Sequence, residues 1–164
     1  MKIYLIGMPG SGKSTIGKQL ASALELAFVD LDDEIERVLG KKITRVFGEE
    51  GEEYFRQVES SQLKAFAHAE VSFVMATGGG APCFHNGIDV INDTGLSIFL
   101  DVRIETILSR LEADQQRPLL AGDDRRTKLE SLREQRLQYY NRAQFHVVEP
   151  IDVDLLIQEI QTKI

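Results

Sequence analysis

Residues 7–14 read Gly-Met-Pro-Gly-Ser-Gly-Lys-Ser. They follow an apolar run at residues 3–6 and precede apolar residues at helical spacing, Ile16, Leu20 and Leu24. A strand, a glycine-rich turn and a helix in this order form the G-x-x-x-x-G-K-[ST] pattern of a phosphate-binding loop, or P-loop. An unrelated glycine-rich turn is disfavoured by the eight matched residues and their flanks. The stretch therefore predicts a nucleoside triphosphate site.

The residues expected to hold the nucleotide lie at the end of the loop and the start of the helix. Glycines let successive backbone N–H groups converge on phosphate oxygens, and the helix adds its positive N-terminal end. Lys13 is expected to reach the outer phosphates, and the Ser14 hydroxyl to ligate one Mg²⁺ ion bound with the nucleotide. The expected nucleotide-binding set in this stretch is Gly10, Ser11, Gly12, Lys13, Ser14 and Thr15.

Composition and charge exclude several other classes of protein. The 164 residues fit one domain, 1–164, and carry a formal net charge of −7, which argues against general binding of nucleic acid or a membrane surface. The N-terminus has no apolar stretch typical of a signal peptide or a membrane span, and the single cysteine, Cys83, cannot form an internal disulfide. A cytoplasmic location is therefore expected.

Strand-like and helical patterns alternate along the chain. The strand-like runs lie at 2–6, 27–30, 72–77, 96–100 and 145–148, and the helical patterns at 13–24, 31–39, 52–68, 103–112, 125–142 and 152–162, with an apolar turn near 43–48. This alternation predicts an α/β fold with a parallel sheet covered by helices on both faces. Two further segments are interpreted as a substrate-binding insertion at about 31–60 and a mobile lid at about 112–124.

Two carboxylates follow the second strand. Asp30 and Asp32 would lie on one side of the chain if the extended conformation persisted past the strand. One could hold Mg²⁺ through its waters, and the other could accept a proton or a hydrogen bond from an attacking hydroxyl. The alternative is that Asp32 or Asp33 caps the helix that starts there.

The third strand runs directly into Gly78-Gly79-Gly80. Three glycines at the carboxyl end of a strand permit close approach of the backbone and leave N–H groups able to donate to a ligand. The strand lacks the terminal aspartate of an ordinary Walker B motif, so Asp30 is the best candidate for the metal carboxylate.

Taken together, the motifs resemble those of shikimate kinases in order and spacing, from Lys2 to about Arg142. They are the P-loop, Asp30-x-Asp32, Ile35-Glu36, Gly51-Glu52-x-x-Phe55-Arg56-x-x-Glu59, Gly78-Gly79-Gly80 and Arg117-Pro118-Leu119-Leu120. The resemblance implies transfer of the γ-phosphoryl of ATP to the 3-hydroxyl of shikimate. It also implies a monomer and a three-layer sandwich whose five-stranded parallel sheet has the order 2-3-1-4-5.

The resemblance assigns roles on the acceptor side. Asp32 matches the acid that binds the ring hydroxyls and assists the nucleophile, and Arg56 and Arg136 match the arginines that clamp the substrate carboxylate. Glu59 matches the acid that positions Arg56. The remaining matches are the glycine backbone at Gly78, Gly79 and Gly80, and the apolar pocket walls Phe47 and Phe55.

On the donor side, the resemblance makes Lys13 and Arg117 catalytic together with Asp32, Arg117 being the lid arginine that closes on the phosphates. Arg110 matches a position flanking adenine. The segment 148–152 lacks the basic residue that many relatives place near adenine, so backbone groups or Pro150 would serve there.

The residues alone leave alternatives open. Arg133 and Arg136 share a helical face, and a solvated basic face would explain both. Another small P-loop kinase, acting on gluconate or a nucleoside monophosphate, has the same loop. A nucleotide-binding module without catalysis is disfavoured because Lys13, Asp32, Arg56 and Arg117 are all present.

Overall fold

The protein is described here by a computed structural model that covers residues 1–113 and 124–163. Its sheet, within these residues, consists of β1 (Lys2–Ile6), β2 (Ala27–Asp30), β3 (Phe73–Ala76), β4 (Leu96–Asp101) and β5 (Phe145–Val148). All neighbouring strands are parallel, in the order β2-β3-β1-β4-β5. The predicted fold class and strand order are confirmed.

Helices cover both faces of the sheet. They are α1 (Lys13–Ala23), α2 (Leu31–Leu39), α3 (Ile43–Glu50), α4 (Glu52–His68), α5 (Gly87–Thr94), α6 (Ile104–Ala113), α7 (Arg125–Tyr140) and α8 (Val153–Lys163), with a 3₁₀ turn at Ala81–Cys83. Successive residues of β1 point into two cores, as expected for a central parallel strand whose residues 3–6 are all apolar. Ile3 and Leu5 pack with α1 and α8, whereas Tyr4 and Ile6 pack on the opposite side, where α4 to α7 lie.

Two elements differ from the sequence prediction. The expected turn near 43–48 is a helix, α3, that continues to Glu50, and α5 was not predicted at all. The segment of α5 is short and contains glycine, asparagine, aspartate and threonine, which all have modest helix propensity. Its burial of Ile88 and Ile91 stabilises a helix that local sequence does not favour.

The predicted lid at about 112–124 can be placed only at its ends. Residues 112 and 113 are the last turn of α6, and Asp124 immediately precedes α7. Residues 114–123, and with them Arg117, lie outside the described residues. No helix in the described part of the chain is long and apolar enough to cross a membrane.

The sheet order brings three loops to one edge. β1 lies between β3 and β4, and Leu5 pairs with Ala76 of β3, which in turn pairs with Asp30 at the end of β2. Because the carboxyl ends of parallel strands share an edge, the P-loop lies next to the glycine turn and near Asp30.

Candidate active site

The P-loop has the backbone that its glycines predict. Gly10 and Gly12 adopt φ values of 82° and 92°, a region that other residues rarely occupy. Helix α1 begins directly after Gly12, and none of the described side chains caps its first turn. The N–H groups of Ser14 and Thr15 in that turn therefore remain available to an anion.

Side chains of the loop are held close to its own backbone. Nζ of Lys13 donates to the carbonyl oxygens of Gly7 and Met8, each at 2.9 Å. Arg110 Nη1, from α6, donates to the Gly10 carbonyl at 2.9 Å, so this arginine lies against the loop. The Ser11 hydroxyl is buried and has no hydrogen-bond partner among the described residues, an arrangement that a bound phosphate would relieve. Thr15 is exposed at the start of α1.

Asp30, at the end of β2, and Ser14, in the first turn of α1, form a pair of oxygen donors. The Ser14 hydroxyl donates to Asp30 Oδ2 at 2.7 Å, while Asp30 Oδ1 accepts the Asp32 N–H at 3.1 Å and so caps α2. The extended conformation ends at Asp30, so the condition for Asp30 and Asp32 to lie on one strand face is not met. The helix cap is Asp30, not Asp32 or Asp33. Hydroxyl and carboxylate oxygens are ligands that Mg²⁺ accepts.

Asp32 lies in the first turn of α2 with its carboxyl group largely buried. Burial, reinforced by the negative charges of Asp30 and Glu59, raises the pKa of Asp32 to about 6, against the opposing effect of Lys13. At neutral pH the group is therefore mostly ionised but close to its titration point. This is the range in which a carboxylate can accept a proton or hydrogen bond from a hydroxyl.

Charged side chains pack directly against the glycine turn. A methyl group at Gly78 would lie 2.7 Å from Oε2 of Glu59 and 3.1 Å from Oδ1 of Asp32. A methyl group at Gly79 would lie 2.8 Å from Nη1 of Arg136. The glycines are needed here for close approach, and side chains distant in sequence converge on them.

Gly80, the last glycine of this turn, packs against Arg56. A methyl group there would lie 2.3 Å from Nη1 and 2.6 Å from Nη2 of Arg56. The carbonyls of Gly78 and Gly80 accept from Ala81 and Cys83, but the N–H groups of the three glycines have no acceptor among the described residues. The expectation that this turn leaves donors available agrees with that pattern.

Arg56 is buried and held on several sides. Its Nη1 donates to Glu59 Oε1 at 2.8 Å, and its Nε lies 3.4 Å from Glu52 Oε1. The rings of Phe84 and Phe55 lie 4.3 Å and 5.2 Å from the guanidinium carbon, at cation–π distance. Such an arrangement fixes the plane of the guanidinium group before any ligand binds.

Glu59 is almost fully buried beside this cation. Burial raises the pKa of the Glu59 carboxyl, and the Arg56 and Arg136 charges oppose that rise. Both arginine charges therefore favour the ionised form of this buried acid, and the two guanidinium groups lie against neighbouring glycines.

The structure separates two arginines of α7 that the sequence could not. Arg133 Nη2 pairs with Asp101 at 2.7 Å, at the end of β4. Arg136, one turn later, lies against Gly79. Of the two, only Arg136 lies in the cluster with Arg56.

Two further contacts involve residues that the resemblance places in the site. Phe47 and Phe55 pack with ring centroids 4.6 Å apart, beside the Arg56 cluster. On the other side, Glu149 accepts from the Arg103 backbone and from Thr106. The segment expected to lie near adenine is therefore tied to the start of α6.

Sequence reasoning missed Phe84 and Tyr140. The signal for Phe84 was its position four residues after the last glycine, and its side chain is exposed despite its size. The Tyr140 hydroxyl donates to the Gly79 carbonyl at 2.6 Å. This contact joins residues 61 positions apart, so no local pattern could reveal it.

Comparison with known proteins agrees with this geometry. The sequence model of the shikimate kinase family matches residues 9–163. A shikimate kinase from Sulfurihydrogenibium sp. (strain YO3AOP1) is 40% identical over 163 residues, covering 99% of this chain and 96% of the relative.

Solved structures give the same result. A shikimate kinase from Bacteroides thetaiotaomicron superposes with a TM-score of 0.90 at 36% identity, covering 99% of this chain and 97% of that one. One from Acinetobacter baumannii, solved in complex with shikimate, has a TM-score of 0.88 at 34% identity, covering 99% and 91% of the two chains. The chain belongs to the shikimate kinase family.

Proposed function

We propose that this chain transfers the γ-phosphoryl group of ATP to the 3-hydroxyl of shikimate, giving shikimate 3-phosphate and ADP for chorismate and aromatic amino acid biosynthesis. The observation that carries the proposal is the convergence of Arg56, Arg136 and Asp32 on three successive glycines beside a P-loop. Two guanidinium groups suit a carboxylate, and a carboxylate suits a ring hydroxyl. Shikimate carries both groups.

The acceptor side holds shikimate by charge and shape. Arg56 and Arg136 clamp the carboxylate, and Glu59 holds Arg56 in place through their 2.8 Å hydrogen bond. Backbone N–H groups of Gly78–Gly80 donate to the substrate, and Phe47 and Phe55 form apolar walls. In this proposal the insertion at about 31–60 is the substrate-binding part of a single domain.

The donor side holds the triphosphate. Backbone N–H groups from Gly10 to Thr15 surround the phosphates, the Lys13 ammonium moves from its loop carbonyls to the outer phosphates, and Arg110 flanks adenine. Arg117 closes on the phosphates from the lid and excludes water, since water would otherwise compete as the acceptor.

The Ser14 hydroxyl and the Asp30 carboxylate lie 2.7 Å apart and are oxygen donors that Mg²⁺ accepts. They would hold one Mg²⁺ ion, Ser14 as a ligand and Asp30 through water, and the ion would supply positive charge beside the phosphates.

Asp32 orients the acceptor. With a pKa of about 6, its carboxylate accepts a hydrogen bond from the 3-hydroxyl at neutral pH and takes the proton as the new O–P bond forms. Phosphoryl transfer depends mainly on positioning and on charge stabilisation, so the positive charges of Lys13 and Arg117 act together with this base. The protein acts as a monomer in the cytoplasm under this proposal.

The test is an ADP-release assay of the purified chain with ATP, Mg²⁺ and one of three acceptors: shikimate, gluconate or AMP. We expect ADP release with shikimate alone, and ³¹P NMR should place the new phosphate on the 3-oxygen. Turnover with gluconate or AMP in place of shikimate would move the chain to another P-loop kinase activity. ATP binding without turnover on any acceptor would favour a nucleotide-binding module.

A further inference from the structure

Tyr140 is the last residue of α7, and its side chain is fully buried. Its hydroxyl donates to the carbonyl oxygen of Gly79 at 2.6 Å and lies 4.0 Å from the sulfur of Met8, a residue of the P-loop. Its ring packs against Phe99 of β4, with centroids 5.1 Å apart. The hydroxyl of this residue, which lies on the helix that carries Arg136, therefore contacts both the P-loop and the glycine turn.

The hydrogen bond to Gly79 fixes the orientation of one peptide plane. In a trans peptide the N–H of Gly80 points opposite to the C=O of Gly79. Because that carbonyl is directed at Tyr140, the Gly80 N–H is directed away from the hydroxyl, and it has no acceptor among the described residues. Burial raises the pKa of the Tyr140 hydroxyl, so the group remains a donor at physiological pH.

The same residue also ties Arg136 to this peptide. Arg136 lies one helical turn before Tyr140 and therefore on the same face of α7. Gly79 lies directly against its Nη1. Glycine is flexible, and three in succession would sample many backbone conformations without an external restraint.

We infer that Tyr140 is a positioning residue: its hydroxyl holds the Gly79–Gly80 peptide so that the Gly80 N–H faces shikimate and Gly79 stays against Arg136. Tyr140 does not touch the substrate in this arrangement. The inference rests on the proposed function, since it assigns the glycine turn to shikimate.

The chain offers a matched control. Tyr4 is also fully buried, and its hydroxyl makes one side-chain hydrogen bond, to Thr94 Oγ1 at 3.0 Å. Thr94 ends α5 and contacts neither the P-loop nor the glycine turn in any hydrogen bond of the described residues. Tyr140→Phe and Tyr4→Phe therefore remove the same group from equally buried sites, and only the first touches the glycine turn.

The experiment measures steady-state ADP release and thermal unfolding of both full-length variants. For Tyr140→Phe we expect the KM for shikimate to rise about fivefold, the change that corresponds to a hydrogen bond of about 1 kcal/mol. The KM for ATP should change less than twofold. Tyr4→Phe should lower the Tm about as much as Tyr140→Phe does. It should leave both KM values as in the unmutated chain.

A substrate-free readout separates this inference from the proposed function. The amide cross-peak of Gly80 in a ¹H–¹⁵N NMR spectrum should move in Tyr140→Phe and stay in place in Tyr4→Phe. Two kinetic results would overturn the inference: equal KM values for the two variants, or an equal rise in both KM values of Tyr140→Phe. An unmoved Gly80 cross-peak would overturn it too, and so would a Tyr140→Phe chain that does not fold. If the unmutated chain does not phosphorylate shikimate, the proposed function fails, and the Gly80 cross-peak still decides whether Tyr140 positions the turn.

Discussion

Replacing Gly80 with alanine places one methyl group where the Arg56 guanidinium lies. The methyl carbon would be 2.3 Å from Nη1 and 2.6 Å from the guanidinium carbon, whereas an ordinary contact needs roughly 3.4 Å or more. The guanidinium group must withdraw by about 1 Å. It cannot do so and keep both its 2.8 Å hydrogen bond to Glu59 and its packing on Phe84.

The size of the effect follows from the bond that is lost. A hydrogen bond between charged groups contributes about 1.5–3 kcal/mol, and a misplaced Arg56 would lose such a bond to the shikimate carboxylate. We therefore expect the KM for shikimate to rise roughly 10- to 100-fold, with less than a twofold change in the KM for ATP. The backbone itself accepts the change, since Gly80 has φ −91° and ψ −12°, which alanine adopts without strain. Stability should nevertheless fall, because the buried Arg56–Glu59 pair is disturbed.

The assay compares Gly80→Ala with Gly48→Ala by ADP release and thermal unfolding. Gly48 lies within α3 with nothing within 4 Å of an added methyl group, so alanine there should stabilise the helix by about 0.5–1 kcal/mol and leave both KM values unchanged. An unchanged KM for shikimate in a folded Gly80→Ala variant would refute the reasoning. So would an equal rise in the KM for ATP.

Three further predictions concern the donor loop, the acid and the lid. Asp32→Asn should be nearly inactive yet more stable at pH 8, because a folded-state pKa of about 6 lies above the unfolded value. Ionised Asp32 then lowers stability by up to about 3 kcal/mol. The Tm advantage should shrink as pH falls through 6, where the activity of the unmutated chain also declines. Asp33→Asn, on an exposed position of the same helical turn, is its control, and wild-type-like turnover of Asp32→Asn would remove Asp32 from the mechanism. Ser14→Ala should raise the Mg²⁺ concentration needed for half-maximal rate several-fold without changing the KM for shikimate, because it removes the hydroxyl that would ligate the ion beside Asp30. An unchanged Mg²⁺ requirement would contradict the metal site. Arg117→Ala should depress turnover far more than shikimate binding, and near-normal turnover at saturating ATP would refute its role in the lid.

The fold was largely predictable because its strands carry strong local signals. The five strand-like runs and the P-loop are each contained in a few consecutive residues, and residues 3–6 of β1 are all apolar. Helix α5 was missed because Gly87 to Thr94 favours a helix only through burial of Ile88 and Ile91. Tertiary packing decides such a segment, and its sequence does not record that packing.

The site was predictable in part. The resemblance selected Arg136 over Arg133, but only the packing explains the choice, since Asp101 holds Arg133 and Gly79 lies against Arg136. The packing of charged side chains against the glycines depends on contacts between segments that are distant in the sequence. For the same reason the sequence did not reveal Phe84, whose ring covers Arg56.

The measurement that tests the central claim most directly is a crystal structure of this chain with Mg²⁺, ADP and shikimate bound. The account predicts that the shikimate carboxylate lies between Arg56 and Arg136, against the Gly78–Gly80 backbone. It also predicts that the 3-hydroxyl lies within hydrogen-bond distance of Asp32 and faces the β-phosphate of ADP. A carboxylate bound away from both arginines, or a 3-hydroxyl directed away from the P-loop, would contradict it.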